Sequence, residues 1–261
     1  MHLWLSKLMI SKNKIKFLRS LKLKKYREQY HVTLLEGIRL IDESINCNID
    51  IQSIWMTADS IENNSILVNK IKSKNITLDT IEIDDLKSIS DTQNSQGAIA
   101  EINIKKYLDS KLDNINNNVV ILDDISDPGN LGTIFRTCAW YNIRNIILSS
   151  NTVDPFNFKS LRSGMGAHFY FDSIVISDNK SIIEFLLKND FNILCSDLEG
   201  DNIANVVIKN KWALVLGSEA HGVNIEFNQY HKISIPKFGN IESLNVSVAC
   251  GIILERLINN A

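Results

Sequence analysis

The chain has 261 residues, a net charge of −2, and 44% hydrophobic and 22% charged residues, the make-up of an ordinary globular protein with room for one large domain or two modest ones. No apolar run approaches the roughly 18 residues a membrane-spanning helix needs, and the four cysteines (Cys47, Cys138, Cys195, Cys250) form no CxxC pair, against a disulfide framework or zinc knuckle. A reducing, cytoplasmic setting is expected.

The charge is unevenly spread. From Met1 to Arg27 there are nine cations and no carboxylate, and such a segment on an acidic chain suits a polyanion such as RNA. A plain solvated helix face and an organelle transit segment are the alternatives, and Met9 is an alternative start. The basic stretch reads as a helix with Ile15, Leu18 and Leu21 inward. A second helix follows from Leu34, Ile38, Ile41 and Ile45 at helical spacing. Next come a strand at Ile51–Met56, a helix around Ile61–Ser73, short strands near Ile76–Ile83 and a strand at Gly97–Ile104. Together they make a small α/β domain, residues 1–107. Residues 108–118 are mostly polar and aperiodic, and read as a linker.

From residue 119 to 261 strands and helices alternate. Strands are predicted at Val119–Asp123, Asn145–Ser149, Phe169–Ile176, Phe191–Ser196, Trp212–Leu216 and Lys232–Ile235. Helices are predicted at Leu131–Tyr141, Ser181–Lys188 and Leu244–Leu257. Short, wholly apolar strands such as Ala213–Leu216 indicate a parallel sheet covered on both faces. Its ligand belongs beyond the C-terminal strand ends.

Polar clusters fall at three such ends. The first is SDPGNLGTIFRT, Ser126 to Thr137; it has neither the GxGxxG spacing of a dinucleotide loop nor the Lys of a P-loop. The second is LGSEAHGVN, Leu216 to Asn224. The third runs from Ile235-Pro236 to Ser243-Leu244-Asn245-Val246-Ser247. Singly, each is explained by turns and caps; their convergence on one end of the sheet is what suggests a site. No histidine pair has metal-ligand spacing, so no metal is expected.

These stretches resemble the three signature motifs of the SpoU (TrmH-like) branch of the SPOUT RNA methyltransferases: NxGxxxR at Asn130, Gly132 and Arg136, the LGSEAHGV stretch with Glu219, and IP followed by SLNVSVA. The resemblance covers residues 119–261, with Arg162-Ser163-Gly164-Met165-Gly166-Ala167, and extends loosely to Leu35–Arg39 and Ser95–Ala98. It implies an α/β fold in which a trefoil-knotted parallel-sheet domain follows a small RNA-binding domain. It further implies S-adenosyl-L-methionine as methyl donor, a homodimer through the C-terminal domain, and transfer to a ribose 2′-hydroxyl. Large-subunit ribosomal RNA is the favoured substrate; transfer RNA, or a non-catalytic RNA-binding protein of the same fold, are the alternatives.

By the same resemblance Arg136, Glu219, Asn245 and Asn130 are catalytic. Leu216, Gly217, Ser218, Ile235, Ser243, Leu244 and Asn245 bind the cofactor, with free N–H groups of a helix opening at Ser243 offered to it. Lys22, Lys24, Lys25, Arg27 and Arg162 are expected to meet RNA. A guanidinium stays protonated up to a pKa of roughly 12 or more. Arg136 is therefore read as a phosphate clamp and alkoxide stabiliser, oriented by Glu219 and Asn245.

Overall fold

The computed structural model describes residues 10–92, 96–208, 210–219 and 221–259. Met1, Met9, Ser95 and Ala220 of the sequence reading lie outside them. The chain forms two compact units: one runs up to Leu108 and adds Phe156–Phe169, the other comprises Asp109–Pro155 and Tyr170–Ala261. Phe156–Phe169 therefore belongs with the first unit, although the sequence reading assigned that stretch to the second domain.

The first unit holds α1 (Lys12–Ser20), α2 (Lys24–Tyr30), β1 (Val32–Glu36), α3 (Ile38–Asn46), β2 (Ile51–Met56), α4 (Ala58–Asn63), α5 (Ser65–Ser73), β3 (Leu78–Thr80), α6 (Ile83–Ile89), β4 (Ala98–Asn103) and α7 (Lys105–Leu108). Its sheet has the order β1-β4-β2-β3, with β4 antiparallel to both neighbours and β2 parallel to β3. Leu34, expected on a helix, lies on β1, which is buried throughout. Gly37, at φ 98°, separates that strand from α3, because left-handed backbone is open to glycine at little cost. The core gathers Leu18 and Leu21 from the α1 region, Val32 and Leu34 from β1, Trp55 from β2 and Phe158.

Two carboxylates are buried in this unit, and each is compensated. Glu101 receives Lys14 Nζ at 2.6 Å. Glu36 accepts from the Asp91 backbone N–H at 2.9 Å, Ser90 Oγ at 3.2 Å and an Arg162 N–H at 3.0 Å. A buried charge is tolerated only when paired and hydrogen-bonded in this way.

The second unit is a six-stranded, wholly parallel sheet of order β10-β8-β9-β5-β6-β7. Its elements are β5 (Val119–Leu122), α8 (Pro128–Trp140), β6 (Asn145–Ser149), then, beyond the α9 helix (Phe158–Gly164) of the first unit, β7 (Ser173–Ser177), α10 (Asn179–Lys188), β8 (Asn192–Asn202), β9 (Trp212–Leu216), β10 (His231–Ser234) and α11 (Val246–Asn259). β5, β6 and β9 are buried along their whole length, as strands covered on both faces must be. Ile115, from the stretch read as a linker, packs into this core with Val119, Ile121 and Phe185. From β5 the chain builds outward through β6 and β7, then returns to the other side for β8, β9 and β10. The order thus reverses between β5 and β9, and a crevice opens beyond the carboxyl ends at such a reversal.

Arg162→Ala should lower folding stability by about 1–3 kcal/mol, because it strips a charged donor from a buried carboxylate. Lys24→Ala, which removes only the exposed pair with Glu28, should stay within about 0.5 kcal/mol of the parent. Urea titration followed by circular dichroism reads both; equal midpoints for the two variants would refute a structural role for Arg162.

Candidate active site

β5 and β9 end side by side, with Leu122 paired to Leu216. The backbone N–H of Asp123 extends that ladder to Leu216 O at 2.9 Å. The Asp123 side chain is 2% exposed. Its carboxylate accepts from the Asn224 backbone N–H at 2.7 Å and from Asn179 Nδ2 at 3.2 Å. One residue therefore clamps both ends of the Gly217–Asn224 loop. Sequence reasoning placed Asp123 at a strand end but gave it no role, since its partner lies 101 positions away.

After β5, Asp127 caps α8, its carboxylate accepting from the N–H groups of Gly129 and Asn130. Pro128 occupies the first helical position, where its missing donor costs nothing. This Asp-Pro start signal was legible and overlooked, so the helix begins three residues before the expected Leu131. Asn130 therefore rides on the first turn of α8 and not in a loop.

Asn130, Glu219 and Asn245, one from each motif, close into a ring. Asn130 Nδ2 donates to Glu219 Oε1 at 3.0 Å. Asn245 Nδ2 donates to the same oxygen at 2.8 Å and to Asn130 Oδ1 at 3.0 Å. The Val246 backbone N–H reaches Glu219 Oε1 at 3.4 Å. Charge-assisted bonds of this kind are stronger than neutral ones. They fix one carboxylate oxygen, while Oε2 of Glu219 has no hydrogen bond among the described residues.

The third motif is organised differently from expectation. α11 starts at Val246, and Asn245 rather than Ser243 caps it, with Oδ1 accepting from the Ser247 N–H at 2.9 Å. Val248 and Ala249 donate to Asn245 O, both at 3.0 Å. With Val246 bonded to Glu219, all four donors of the first turn are already satisfied. The free helix N-terminus proposed for cofactor binding is thus absent.

What the motif offers instead is the stretch from Pro236 to Leu244. No hydrogen bond engages it among the described residues, and Phe238 (97%), Ile241 (70%) and Leu244 (42%) expose large apolar side chains. Unbonded backbone groups beside apolar surface suit a ligand with a flat apolar body and polar edges. Ser243 and Leu244 belong to this stretch, Ile235 precedes it, and Ser218 follows buried Leu216 and Gly217.

Gly217 matters for a reason other than ligand approach. A Cβ there would lie 2.1 Å from the carbonyl carbon of Gly222, where Ser218 and Gly222 pair in an isolated bridge. The glycine lets the Glu219 loop fold back on itself.

Arg136 is exposed on α8 and has neither hydrogen bond nor ion pair among the described residues. Glu219 and Asn245 therefore do not orient it; their bonds go to each other and to Asn130. Six residues along a helix place Arg136 about 9 Å beyond Asn130 and on a different face.

The residues expected to meet RNA are engaged to different degrees. Arg27 is 3% exposed and donates to the carbonyls of Leu21 and Lys22 at 2.6 and 2.9 Å, so it is a structural brace. Arg162 is held by Glu36, as described above. Lys22 bonds to Ser90 O and pairs with Asp91, both at 3.0 Å. Lys24 pairs loosely with Glu28, and Lys25 lies 4.7 Å over the Tyr26 ring. Cys138, Cys195 and Cys250 are buried thiols and Cys47 is half-buried; burial pushes Cys195 up to about 12, and burial also raises Cys138, which is hydrogen-bonded to the free thiol Cys250. None is poised as a thiolate nucleophile.

Gly217→Ala should cost about 1–3 kcal/mol through overpacking and speed hydrogen exchange at the Gly222 N–H, which bonds to Ser218 O at 2.9 Å. Unchanged exchange at that amide would contradict this loop packing.

Comparison with known proteins agrees with this architecture. Residues 12–100 match an MRM3-like substrate binding domain. The chain is 27% identical to the 23S rRNA (guanosine(2553)-2′-O)-methyltransferase RlmP of Bacillus subtilis, covering 94% of this chain and 95% of that protein. It is 25% identical to the mitochondrial rRNA methyltransferase 3 of Xenopus laevis, over 92% of this chain and 72% of that one. A solved structure from Porphyromonas gingivalis, assigned to the TrmH family of RNA methyltransferases, superposes with a TM-score of 0.82 at 26% identity, covering 95% of this chain and 98% of the other. The model of the SpoU rRNA methylase family matches residues 117–255, more than half of the chain, and this protein therefore belongs to that family.

Proposed function

We propose that this protein transfers a methyl group from S-adenosylmethionine to a ribose 2′-hydroxyl of large-subunit ribosomal RNA. The observation that carries the reading is the Asn130–Glu219–Asn245 ring at the switch point between β5 and β9. The name of the Bacillus relative, a 23S rRNA 2′-O-methyltransferase aligned over nearly the whole of both chains, supports the substrate class. Solved SpoU-type structures with bound S-adenosylmethionine support the donor.

The bound cofactor supplies a methyl on a sulfonium, a leaving group that requires no metal. The Pro236–Leu244 stretch, with Ile235 and Ser218, would hold it through backbone groups and apolar contact, while buried Leu216 and Gly217 shape the loop beneath. Glu219, pinned at Oε1, presents Oε2 to the ribose, orients the acceptor hydroxyl and takes its proton as the oxygen attacks. Asn130 and Asn245 keep that carboxylate in place. Arg136 clamps the RNA phosphate and stabilises the developing alkoxide, since a guanidinium fork matches phosphate geometry and carries positive charge.

Arg136 acts on the ring of a second copy, in a homodimer formed through the second unit. Trp140, one turn along α8 on the face of Arg136, is 85% exposed, and on α11, which packs against α8, Val248 is 50% exposed. Exposed apolar side chains on two packed helices that also carry a cation suit an isologous interface. The trefoil threading belongs to the same reading, supported by the return of α11 from the β10 edge to α8 and by the Porphyromonas superposition. A cytoplasmic setting is consistent with the reduced thiols.

Three outcomes are expected. Mapping 2′-O-methylation in ribosomal and transfer RNA, in cells with and without the protein, should show loss of one large-subunit ribose methyl; no change in either pool would refute the assignment. Arg136→Lys should slow turnover roughly 10²-fold, because the bidentate fork is lost, and near-normal turnover would exclude the clamp. Mixing inactive Arg136→Ala and Glu219→Gln proteins in equal amounts should restore about a quarter of full activity, as random exchange within a twofold dimer rebuilds one intact site in half of the dimers. No recovery in subunits shown to exchange would place Arg136 in its own subunit's site.

A further inference from the structure

In the first unit, α1 and the start of α2 form a groove of about 820 Å³ against α6. That is within the roughly 300–1,000 Å³ of small-molecule sites. Lys12, Lys16 and Arg19 line it at helical spacing along one face of α1. They have no hydrogen-bond or ion-pair partner through their side chains among the described residues, whereas Lys14, on another face of the same helix, is paired with Glu101 and Lys22 with Asp91. Lys22 also lines the groove and is paired, but three repelling charges left unpaired along one face of α1 point to an anionic occupant.

The floor is apolar. Ile15, Leu23 and Tyr26 form it, and Leu23 is 55% exposed. On the facing wall Asp85 offers a carboxylate, and Ser88, whose hydroxyl donates to the Asp85 carbonyl at 2.7 Å, offers an acceptor oxygen. A duplex would use the cations but leave this floor empty, since A-form RNA presents phosphates and 2′-hydroxyls outward and keeps its base faces stacked. The groove is also braced beforehand. Arg27 pins the α1–α2 turn through the carbonyls of Leu21 and Lys22, and Lys22 ties that turn to Ser90 beyond α6. A rigid wall lowers the ordering cost of binding.

We propose that this groove captures an unpaired, unstacked nucleotide of the RNA. Its flanking phosphates lie on Lys12, Lys16 and Arg19, its base rests on Ile15, Leu23 and Tyr26, and its polar edge meets Asp85 and Ser88. The inference rests on RNA being the substrate of the methyl transfer proposed above.

The full chain is titrated by fluorescence anisotropy against a labelled oligouridylate, an RNA duplex of equal length and polyglutamate of similar charge. The parent should prefer the single strand by roughly tenfold or more, the scale of stacking and apolar base contacts. Lys12→Glu combined with Lys16→Glu should weaken strand binding at least tenfold and lower the log–log salt slope by about 1.4, or 0.7 per lost phosphate contact on a single strand. An acidic residue at position 12 suits a helix N-terminus, so this loss would not reflect a broken helix. Leu23→Ser, at the position capping α2, improves the cap chemistry and should abolish the strand preference while leaving the salt slope unchanged. Equal parental affinity for strand, duplex and polyglutamate overturns the proposal, as does strand binding indifferent to Leu23→Ser. Because the readout needs no methyl transfer, the two readings fail separately. Strand capture with no methyl lost from any RNA would sink the catalytic assignment, whereas a mapped methyl with no strand preference would sink the groove.

Discussion

One carboxylate oxygen organises the catalytic end of this protein. Glu219 Oε1 gathers side-chain amides from Asn130 and Asn245 and approaches the Val246 N–H, so α8, the loop after β9 and the start of α11 share one acceptor. The first and last of these are 115 positions apart in sequence. An acceptor this heavily used cannot also serve as a swinging arm, and that constraint shapes the rest of the site. Asp123 must clamp the loop that carries Glu219, Gly217 must let the loop double back, and α11 must begin at Val246 so that its first N–H can join the ring. The second oxygen of Glu219 and the groups that the ring does not consume are left for a ligand.

The first unit follows the same economy of charge. Its buried carboxylates, Glu36 and Glu101, each take a cation that composition alone would have assigned to RNA. Arg27 is spent on two carbonyls. The basic segment therefore mixes braces such as Lys14 and Arg27 with cations such as Lys12, Lys16 and Arg19 that have no partner among the described residues. Counting positive residues could not separate them, because the separation depends on which side chains find a buried acceptor once the sheet is formed.

Much of the second unit was legible. Wholly apolar runs such as Val119–Leu122 and Trp212–Leu216 became the buried centre of a parallel sheet, and the three polar clusters at their ends did converge. Asn130, Glu219 and Asn245 were named from their motifs and meet within hydrogen-bond distance. Boundaries and neighbours were not legible. β1 was taken for a helix because a short strand buried on both faces shows no alternation. Phe156–Phe169 gave no local sign that it packs with the first unit. The Asp127-Pro128 start of α8 was readable but was overlooked.

The sequence by itself determined the elements of the second unit, the polarity of its sheet and the residue types collected at the carboxyl ends, since those follow from hydrophobic period, strand length and the chemistry of motifs. Only the tertiary structure decided which donors remain available. It closed the α11 N-terminus with Glu219 and Asn245, left Arg136 without a partner among the described residues on another face of α8, and engaged Arg27 and Arg162 as braces. The physical reason is that a polar group's role depends on whether folding brings it a partner. Such partners, at Asp123 and Asn224 or at Glu36 and Arg162, stand more than a hundred residues apart, beyond the reach of any local pattern.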